Sequence, residues 1–302
     1  MSREQRAHLN AKLGLPSESA AADRSLQGMR AWFAAFMSTL QVPAGTRSSA
    51  TTLGKCRALL VEAEQSSRPG TILYFHGGSY SMGSPETAMA LTANLVVRTG
   101  MRSFSLDYRL APEYPFPHAI EDGVSAYREL LNRGLEPHWI AFAGDSAGGG
   151  LCIATCLQAR SEGLPMPAAI VTFSAGLDAT RSGDSMETKN GIDPFFTRES
   201  LRASGALYLG GADPNQELLS PAVLADLTGF PPLLLQVGTN ELLLDDSTRL
   251  AKRARDAGVD VILDVTANVP HVFQGYSGQL EEADQALDRA AFFLKQHVGR
   301  TM

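Results

Sequence analysis

Short apolar runs alternate along the chain with longer segments whose apolar residues recur every three or four positions. The first pattern is typical of buried strands, and the second is typical of helices that pack on one face. The apolar runs predict strands over 56–62, 71–75, 102–106, 140–143, 168–173, 233–237 and 259–265. The periodic segments predict helices over 85–98, 116–132, 146–160, 198–209, 243–257 and 279–297.

This order of elements implies strand–helix–strand crossovers, and therefore an α/β fold with a mostly parallel central sheet and helices on both faces. Two segments do not fit the alternation. The first fifty residues carry a helical stripe, formed by Leu26, Met29, Phe33, Phe36, Met37 and Leu40. The region 179–219 is polar and rich in Gly and Asp. We therefore expect an N-terminal cap over 1–50 and an α/β domain over 51–302 that carries a cap insertion at about 179–219.

Composition narrows the class of protein. A chain of 302 residues with 44% hydrophobic and 19% charged residues fits one large globular domain. A net charge of −6 without a Lys/Arg cluster disfavours a nucleic-acid partner. No stretch of 18 apolar residues predicts a membrane span, and the first residues lack the apolar core of a secretory signal. We therefore expect a cytoplasmic protein with no membrane partner.

Three cysteines do not make a disulfide framework, so buried free thiols are expected. Cys152 and Cys156 lie one helical turn apart, but they lack a nearby Cys/His pair to complete a tetrahedral zinc site. We therefore expect no metal.

The segment Gly144-Asp-Ser146-Ala-Gly148 joins the predicted strand 140–143 directly to a predicted helix. A serine bracketed by glycines at a sharp strand-to-helix turn is typical of a nucleophile elbow, because glycine lets the turn close without steric clashes. A Gly-rich structural turn is the alternative in a chain with 28 glycines. The context favours the elbow, and no other segment has the same G-x-S-x-G spacing.

A nucleophilic serine needs a base, and only two histidines follow Ser146 in the chain. His297 falls in the last turn of the final helix, where a cation complements the helix dipole. His271 follows Pro270 in the loop between the last strand and the last helix. That loop can carry a base to the carboxyl edge of the sheet, so we expect His271 to be the base.

The base needs a carboxylate that fixes its orientation. Glu241 lies three residues past the strand 233–237, still in the loop, and is the preferred candidate. Asp245 and Asp246 are expected in the first turn of the next helix, where acidic residues stabilise the helix end. Asp145 is adjacent to the serine, and consecutive residues in a tight elbow project in different directions.

Backbone donors for an oxyanion are expected in the segment His76-Gly-Gly-Ser79, which follows the strand 71–75. The amides of Gly78, Ser79 and Ala147 are the expected donors, and the amide of Gly77 is less favoured. His76 precedes the nucleophile and lies within the donor loop, so we expect it to have a structural role.

These motifs resemble those of the bacterial hormone-sensitive-lipase-like family of α/β-hydrolase carboxylesterases over about residues 50–298. The resemblance rests on His76-Gly-Gly, Gly144-Asp-Ser-Ala-Gly-Gly149, Asp107-Tyr-Arg-Leu-Ala-Pro-Glu113, Pro115-Phe-Pro117 and Asp122. It implies a triad of Ser146, Glu241 and His271, a cap over the pocket, and ester hydrolysis without a cofactor. The run 107–122 would brace the donor loop and the elbow.

The chain departs from the family pattern at three places. Ser79 occupies the position of a usual third glycine, and Glu241 stands where the family commonly has aspartate. The stretch 174–178 lacks a bulkier Pro-Trp pair, which leaves Ala175 and Gly176 beside the expected acyl pocket. Part of the stripe on the cap helix should border the acyl pocket as well, and Phe33, Phe36 and Met37 are the expected substrate-pocket residues.

The sequence therefore predicts a serine carboxylesterase that hydrolyses small to medium acyl esters, with lactones as a further substrate class. An acyltransferase or amidase would use the same triad. A ligand-binding protein on the same scaffold is the third alternative, and it would be expected to lack one of the triad residues. The strand 259–265 is the last of the sheet and is largely apolar, so edge pairing and the family resemblance both predict a homodimer through it. The alternative is that Asp260 and Asp264 are charges that protect this edge from pairing.

Overall fold

The computed structural model describes residues 2–13, 25–65 and 68–300, and it is built around an eight-stranded sheet. The strands are β1 (Thr46–Leu53), β2 (Cys56–Ala63), β3 (Thr71–Phe75), β4 (Arg102–Leu106), β5 (Ile140–Asp145), β6 (Ala169–Phe173), β7 (Leu233–Gly238) and β8 (Val261–Thr266). The helices are α1 (Ser2–Leu13), α2 (Leu26–Met37), α3 (Met89–Thr99), α4 (His118–Asn132), α5 (Ala147–Ser161), α6 (Ser185–Thr188), α7 (Arg198–Leu209), α8 (Pro221–Leu224), α9 (Leu244–Asp256) and α10 (Glu281–His297).

The strand order is β1-β2-β4-β3-β5-β6-β7-β8. In this order, every neighbouring pair from β4-β3 to β7-β8 is parallel. β2 pairs antiparallel with both β1 and β4. The predicted α/β class is therefore confirmed. β1 was missing from the prediction, because its sequence is rich in Ser and Thr and its strand is mostly exposed. It is fixed by pairing with β2 along all eight of its residues.

Helices cover both faces of the sheet, and alternate residues of each strand point to opposite faces. On β3, Leu73 and Phe75 belong to the larger core cluster, which includes residues of α4, α5 and α9. Ile72 and Tyr74 belong to a second cluster, which includes residues of α3 and α10. The central strands are buried on both sides, so each is a continuous apolar run in the sequence. The first and last residues of these strands could therefore be predicted closely.

The N-terminal segment forms α1, which the apolar pattern did not indicate, and α2, which it did. Residues 14–24 lie outside the described part. No residue of α2 is buried, but Leu40, just after the helix, belongs to a small core cluster that Met37 contacts. Arg30 anchors the helix by donating to the carbonyl oxygens of Ser81 and Ala111 and by pairing with Glu113. α2 is therefore attached beside the loop that follows β3.

The region 179–219 contains α6 and α7, and α7 matches the predicted helical piece. Thr197 and Ser200 form a capping box at its start, and Gly210 ends it in the left-handed conformation. In the described part of the chain, no helix has the length and apolarity needed to cross a bilayer. All three cysteines are free and buried, as predicted.

Candidate active site

Ser146 lies between β5 and α5 with a backbone φ of 52° and ψ of −118°. A non-glycine residue in this strained region is rare and is found where the surrounding structure enforces it. A Cβ at Gly148 would collide with the carbonyl oxygen of Phe75, and a Cβ at Gly144 would collide with the carbonyl group of Gly148. Both glycines are therefore required for the turn to form.

His271 joins Ser146 and Glu241. Its Nε2 atom lies 2.9 Å from the Ser146 hydroxyl oxygen, and its Nδ1 atom lies 2.8 Å from Glu241 Oε2. All three side chains are buried, and Glu241 is fully so. The structure thus brings together three side chains that are separated by as many as 125 residues in the chain.

Glu241 is held by hydrogen bonds to its other carboxylate oxygen. The Gly238 amide donates to Oε1 at 2.5 Å, and the Ser174 hydroxyl donates to the same atom at 2.8 Å. The Ser174 oxygen in turn accepts from the amide of Val272, next to His271. Ser174 therefore fixes both the acid and the histidine loop. This role could not be predicted from the sequence, because the contact spans 67 residues.

The electrostatic surroundings favour a proton on His271. Burial lowers the pKa of His271, but the hydrogen bond and the charge of Glu241 outweigh burial, and the net pKa is raised. The carboxylate of Asp193 adds to this effect. Phe196 packs edge-on against the imidazole ring at 4.9 Å between centroids. The pair thus stabilises an imidazolium while the ring is shielded from water.

Three backbone amides close to Ser146 have no acceptor. Within the described residues, the amides of Gly78, Ser79 and Ala147 donate no hydrogen bond, whereas the Gly77 amide donates to Asp145 Oδ1 at 3.1 Å. Gly78 and Ser79 line a cavity together with Ser146, and Ala147 begins α5 directly after it. These three amides are available to a ligand, and that of Gly77 is not.

The loop over residues 76–79, which carries the amides of Gly78 and Ser79, is held in place by buried side chains. Asp145 also accepts a hydrogen bond from the Tyr74 hydroxyl, and the Tyr108 hydroxyl donates to the carbonyl oxygen of His76. The His76 ring stacks on Tyr108 at 4.2 Å. Burial lowers the pKa of His76 to about 4, so this ring is neutral at physiological pH. Its contacts are structural, and it lies apart from the Ser146–His271–Glu241 chain of hydrogen bonds.

Asp245 and Asp246 lie in the first turn of α9, as predicted. Asp245 accepts from the amide of Ser185 at 2.8 Å, and Asp246 accepts from the amides of Leu177 and Asp178. Both carboxylates therefore also attach the chain that follows β6. Among the described residues, neither forms a hydrogen bond with His271.

Two cavities meet at Ser146. The α2 cavity, of about 140 Å³, is lined by the predicted Phe33, Phe36 and Met37, and also by Trp32, Leu40, Phe195, Phe196, Tyr276 and His271. The α7 cavity, of about 210 Å³, is lined by the predicted Gly176 and also by Ser79, Tyr80, Ala147, Arg181, Leu201, Arg202, Gly205, Tyr208 and Leu209. The α2 cavity is therefore mostly apolar apart from Asp145, Ser146 and His271, whereas the α7 cavity contains two arginines, Arg181 and Arg202, as well as Asp178.

Ala175 was expected beside the pocket, and this expectation was wrong. Its side chain is fully buried and does not line either cavity. Its Cβ faces Gly149 on α5, where an added Cβ would lie only 2.7 Å away. Close packing between α5 and the segment after β6 therefore turns Ala175 inward and leaves Gly176 at the cavity.

A family model described as alpha/beta hydrolase fold matches residues 72–275. A solved esterase of the bacterial hormone-sensitive lipase family is 37% identical to this chain, with a TM-score of 0.93, and the match covers 98% of this chain and 99% of the other. The chain belongs to this family of α/β hydrolases.

Named relatives of this α/β hydrolase include an acetyl-hydrolase of Streptomyces hygroscopicus, 41% identical over 261 residues, which are 86% of this chain and 85% of the relative. An esterase of Acinetobacter venetianus is 36% identical over 230 residues, 76% of each chain. The matched family region includes all of β3 except Thr71, the elbow and His271, so it contains all of the hydrogen-bonded site described above.

Proposed function

We propose that Ser146, His271 and Glu241 form the catalytic triad of this carboxylic ester hydrolase. The observation that carries the proposal is the position of His271, which lies within hydrogen-bond distance of both other side chains. A base that contacts both the nucleophile and an orienting acid is the arrangement that acyl transfer through serine requires.

In the proposed reaction, His271 Nε2 accepts the hydroxyl proton while Ser146 Oγ attacks the ester carbonyl carbon. The resulting oxyanion accepts hydrogen bonds from the free amides of Gly78, Ser79 and Ala147. The imidazolium then donates its proton to the leaving alkoxide, and the acyl-enzyme forms. Water, deprotonated by His271, attacks the acyl carbon and releases the acid, which restores Ser146.

The proton transfer to the leaving alkoxide also indicates which part of the ester each cavity holds. The alkoxide must leave beside the histidine that protonates it, and His271 lines the α2 cavity. The α7 cavity contains Ser146 and Ala147 on the other side of the nucleophile. We therefore assign the alcohol group to the α2 cavity and the acyl group to the α7 cavity, whereas the sequence suggests that the α2 stripe borders the acyl pocket. α2 and the region 179–219 would act as the cap, because α2 and α7 supply the walls. The expected end of the N-terminal cap at residue 50 falls inside β1, which belongs to the sheet.

Hydrolysis of small to medium acyl esters is tested with purified protein and p-nitrophenyl esters of increasing acyl length, alongside matched anilides. We expect release of p-nitrophenol with acyl lengths that a cavity of about 210 Å³ admits, and much slower cleavage of the anilides. An organophosphonate should label Ser146, which mass spectrometry of peptides detects. Absence of ester hydrolysis, or a label on another residue, would overturn the proposal.

Ser79 provides a prediction about the oxyanion donors. Ser79 has a φ of 54°, which glycine adopts without strain, and its amide is the proposed donor. Ser79→Gly keeps that amide, so kcat/KM should stay within a few-fold of the wild-type value. Ser79→Ala is the matched control, because it removes the hydroxyl and keeps the Cβ. A loss of more than tenfold in both variants would mean that the hydroxyl itself takes part.

We further propose a homodimer that forms through β8. This strand lies at the edge of the sheet, as the sequence predicted, and it exposes Ile262, Leu263 and Val265. Ile262 and Leu263 line a groove beside α10, and Phe292 of that helix lines the same groove and is also exposed. Of the two charges that could protect the edge, Asp264 is paired with Arg289 of its own chain, and Asp260, just before β8, is exposed. The edge therefore offers apolar side chains and unpaired backbone groups to a second copy.

Light scattering tests the dimer. At micromolar concentration we expect twice the chain mass of 32.3 kDa, and Ile262→Lys should shift the protein toward the monomer by burying a charge at the interface. Ile192→Lys is the control, because Ile192 is equally exposed but lies in the 179–219 region. A monomeric wild type would contradict the proposal, and so would equal effects of the two variants.

A further inference from the structure

One wall of the α7 cavity carries an arginine whose hydrogen-bonding capacity is unused. Arg181 lines this cavity, and only 18% of its side chain is exposed. Within the described part of the chain its guanidinium donates no hydrogen bond, and Nη1 is enclosed without an acceptor. A guanidinium has five donors, and leaving those of an enclosed nitrogen such as Nη1 unpaired is costly. Such a group is expected to have an acceptor during function.

The neighbouring carboxylates do not supply this acceptor. Asp246 Oδ2 lies 3.9 Å from Arg181 Nη1, too far for a hydrogen bond, and accepts from two backbone amides instead. Burial raises the pKa of Asp246 to about 7, which weakens its charge at neutral pH. Asp178 also lines the cavity, but its oxygens accept from Thr180 and Ser182 and pair with Arg249 at 3.0 Å.

Two further features of the wall point to an anionic ligand. Arg202, on the exposed side of α7, also lines the cavity and adds a second positive charge. The hydroxyl of Tyr208 is buried without an acceptor, like Arg181 Nη1. Arg181 itself has a left-handed backbone, with a φ of 54°, which is uncommon for arginine and is often found where a side chain is held for binding.

We propose that the α7 cavity selects acyl groups that end in a carboxylate, with Arg181 as the specificity-determining residue. The inference rests on the proposed function, because the acyl group must lie in this cavity. The substrate class is the half-ester of a dicarboxylic acid. Attack by Ser146 forms the ester bond to the acyl group and releases the alcohol, and water then releases the free dicarboxylate. The distal carboxylate takes no part in the bond changes and accepts hydrogen bonds from the guanidinium.

The test uses monoethyl esters of the straight-chain dicarboxylic acids from succinic to suberic acid. Each is paired with a neutral ethyl ester in which an isopropyl group replaces the distal carboxylate. At one chain length or more, the wild-type kcat/KM should be roughly 10- to 100-fold higher for the anionic ester, as expected for charge-assisted hydrogen bonds in a shielded site. Arg181→Gln should remove most of this preference, and Arg181→Lys should restore part of it.

Arg198→Gln is the matched control. It removes a positive charge at the start of α7, but Arg198 does not line the cavity and pairs with the exposed Glu187, so the ratio between the paired esters should stay high. An equal loss in Arg198→Gln would overturn the assignment to Arg181. A wild type that prefers the neutral ester at every length would overturn the inference without any variant. Hydrolysis of the neutral esters in that experiment would leave the proposed function standing, whereas failure on all esters would reject both.

Discussion

Ser146→Ala is expected to lower kcat for ester hydrolysis by about 10³-fold or more, because it removes the atom that forms the acyl-enzyme. His271 and the free amides would remain, but they would have no nucleophile to activate. The measurement is steady-state hydrolysis of a p-nitrophenyl ester by purified wild type and variant. Thermal unfolding serves as the control for folding, and we expect a small change because the hydroxyl contributes no core packing.

The acyl-enzyme supplies a second readout for the same variant. In wild-type protein, an organophosphonate should add its mass to the peptide that contains Ser146, and in the variant that addition should disappear. Near-native turnover by a folded Ser146→Ala protein would reject the serine mechanism. Labelling of a different serine in the variant would point to a nucleophile elsewhere.

Glu241→Gln is expected to lower kcat by about 10²- to 10⁴-fold, since the amide cannot stabilise the imidazolium that forms at His271. It should also shift the pH profile. His271 acts as a base only when it is neutral, so activity falls as the pH drops through its pKa. Glu241 raises that pKa. The acidic limb of kcat/KM in the wild type should therefore lie above the usual histidine value of about 6.5 and move to lower pH in the variant.

Asp245→Asn is the matched control for this experiment. It also neutralises a carboxylate near the start of α9, but Asp245 contacts Ser185 and has no hydrogen bond with His271. We expect near-native turnover, an unchanged acidic limb in the pH profile of kcat/KM, and a lower melting temperature. If Asp245→Asn lost more activity than Glu241→Gln, the acid of the triad would have to be reassigned.

The fold and much of the site could be predicted because the relevant information is local in the chain. Buried parallel strands are continuous apolar runs, and the segments around Ser146 and His76 carry their glycines beside the residues that need them. Glu241 could be chosen over Asp245 by its distance from the end of β7. The structure brings Glu241 to His271, while its catalytic role stays a prediction.

The remainder depends on packing between distant segments. Ser174 contacts Glu241 across 67 residues, and nothing in its own neighbourhood indicates this. Ala175 turns away from the cavity because α5 approaches it at Gly149. The unused donors of Arg181 can be recognised only when the acceptors of every neighbouring segment are known. β1 was missed because an exposed hairpin strand needs no apolar run.

The attachment of α2 through Arg30 has a consequence for how this family can diverge. The helix supplies Phe33, Phe36 and Met37 to one cavity, yet it has no buried residue, and Arg30 holds it through two backbone carbonyls as well as through Glu113. Backbone acceptors do not change when side chains are substituted. We therefore expect mutations on the cavity side of α2 to alter which alcohols are admitted while the stability of the sheet is preserved. Natural selection could thus change substrate range in small steps, without a compensating mutation in the core.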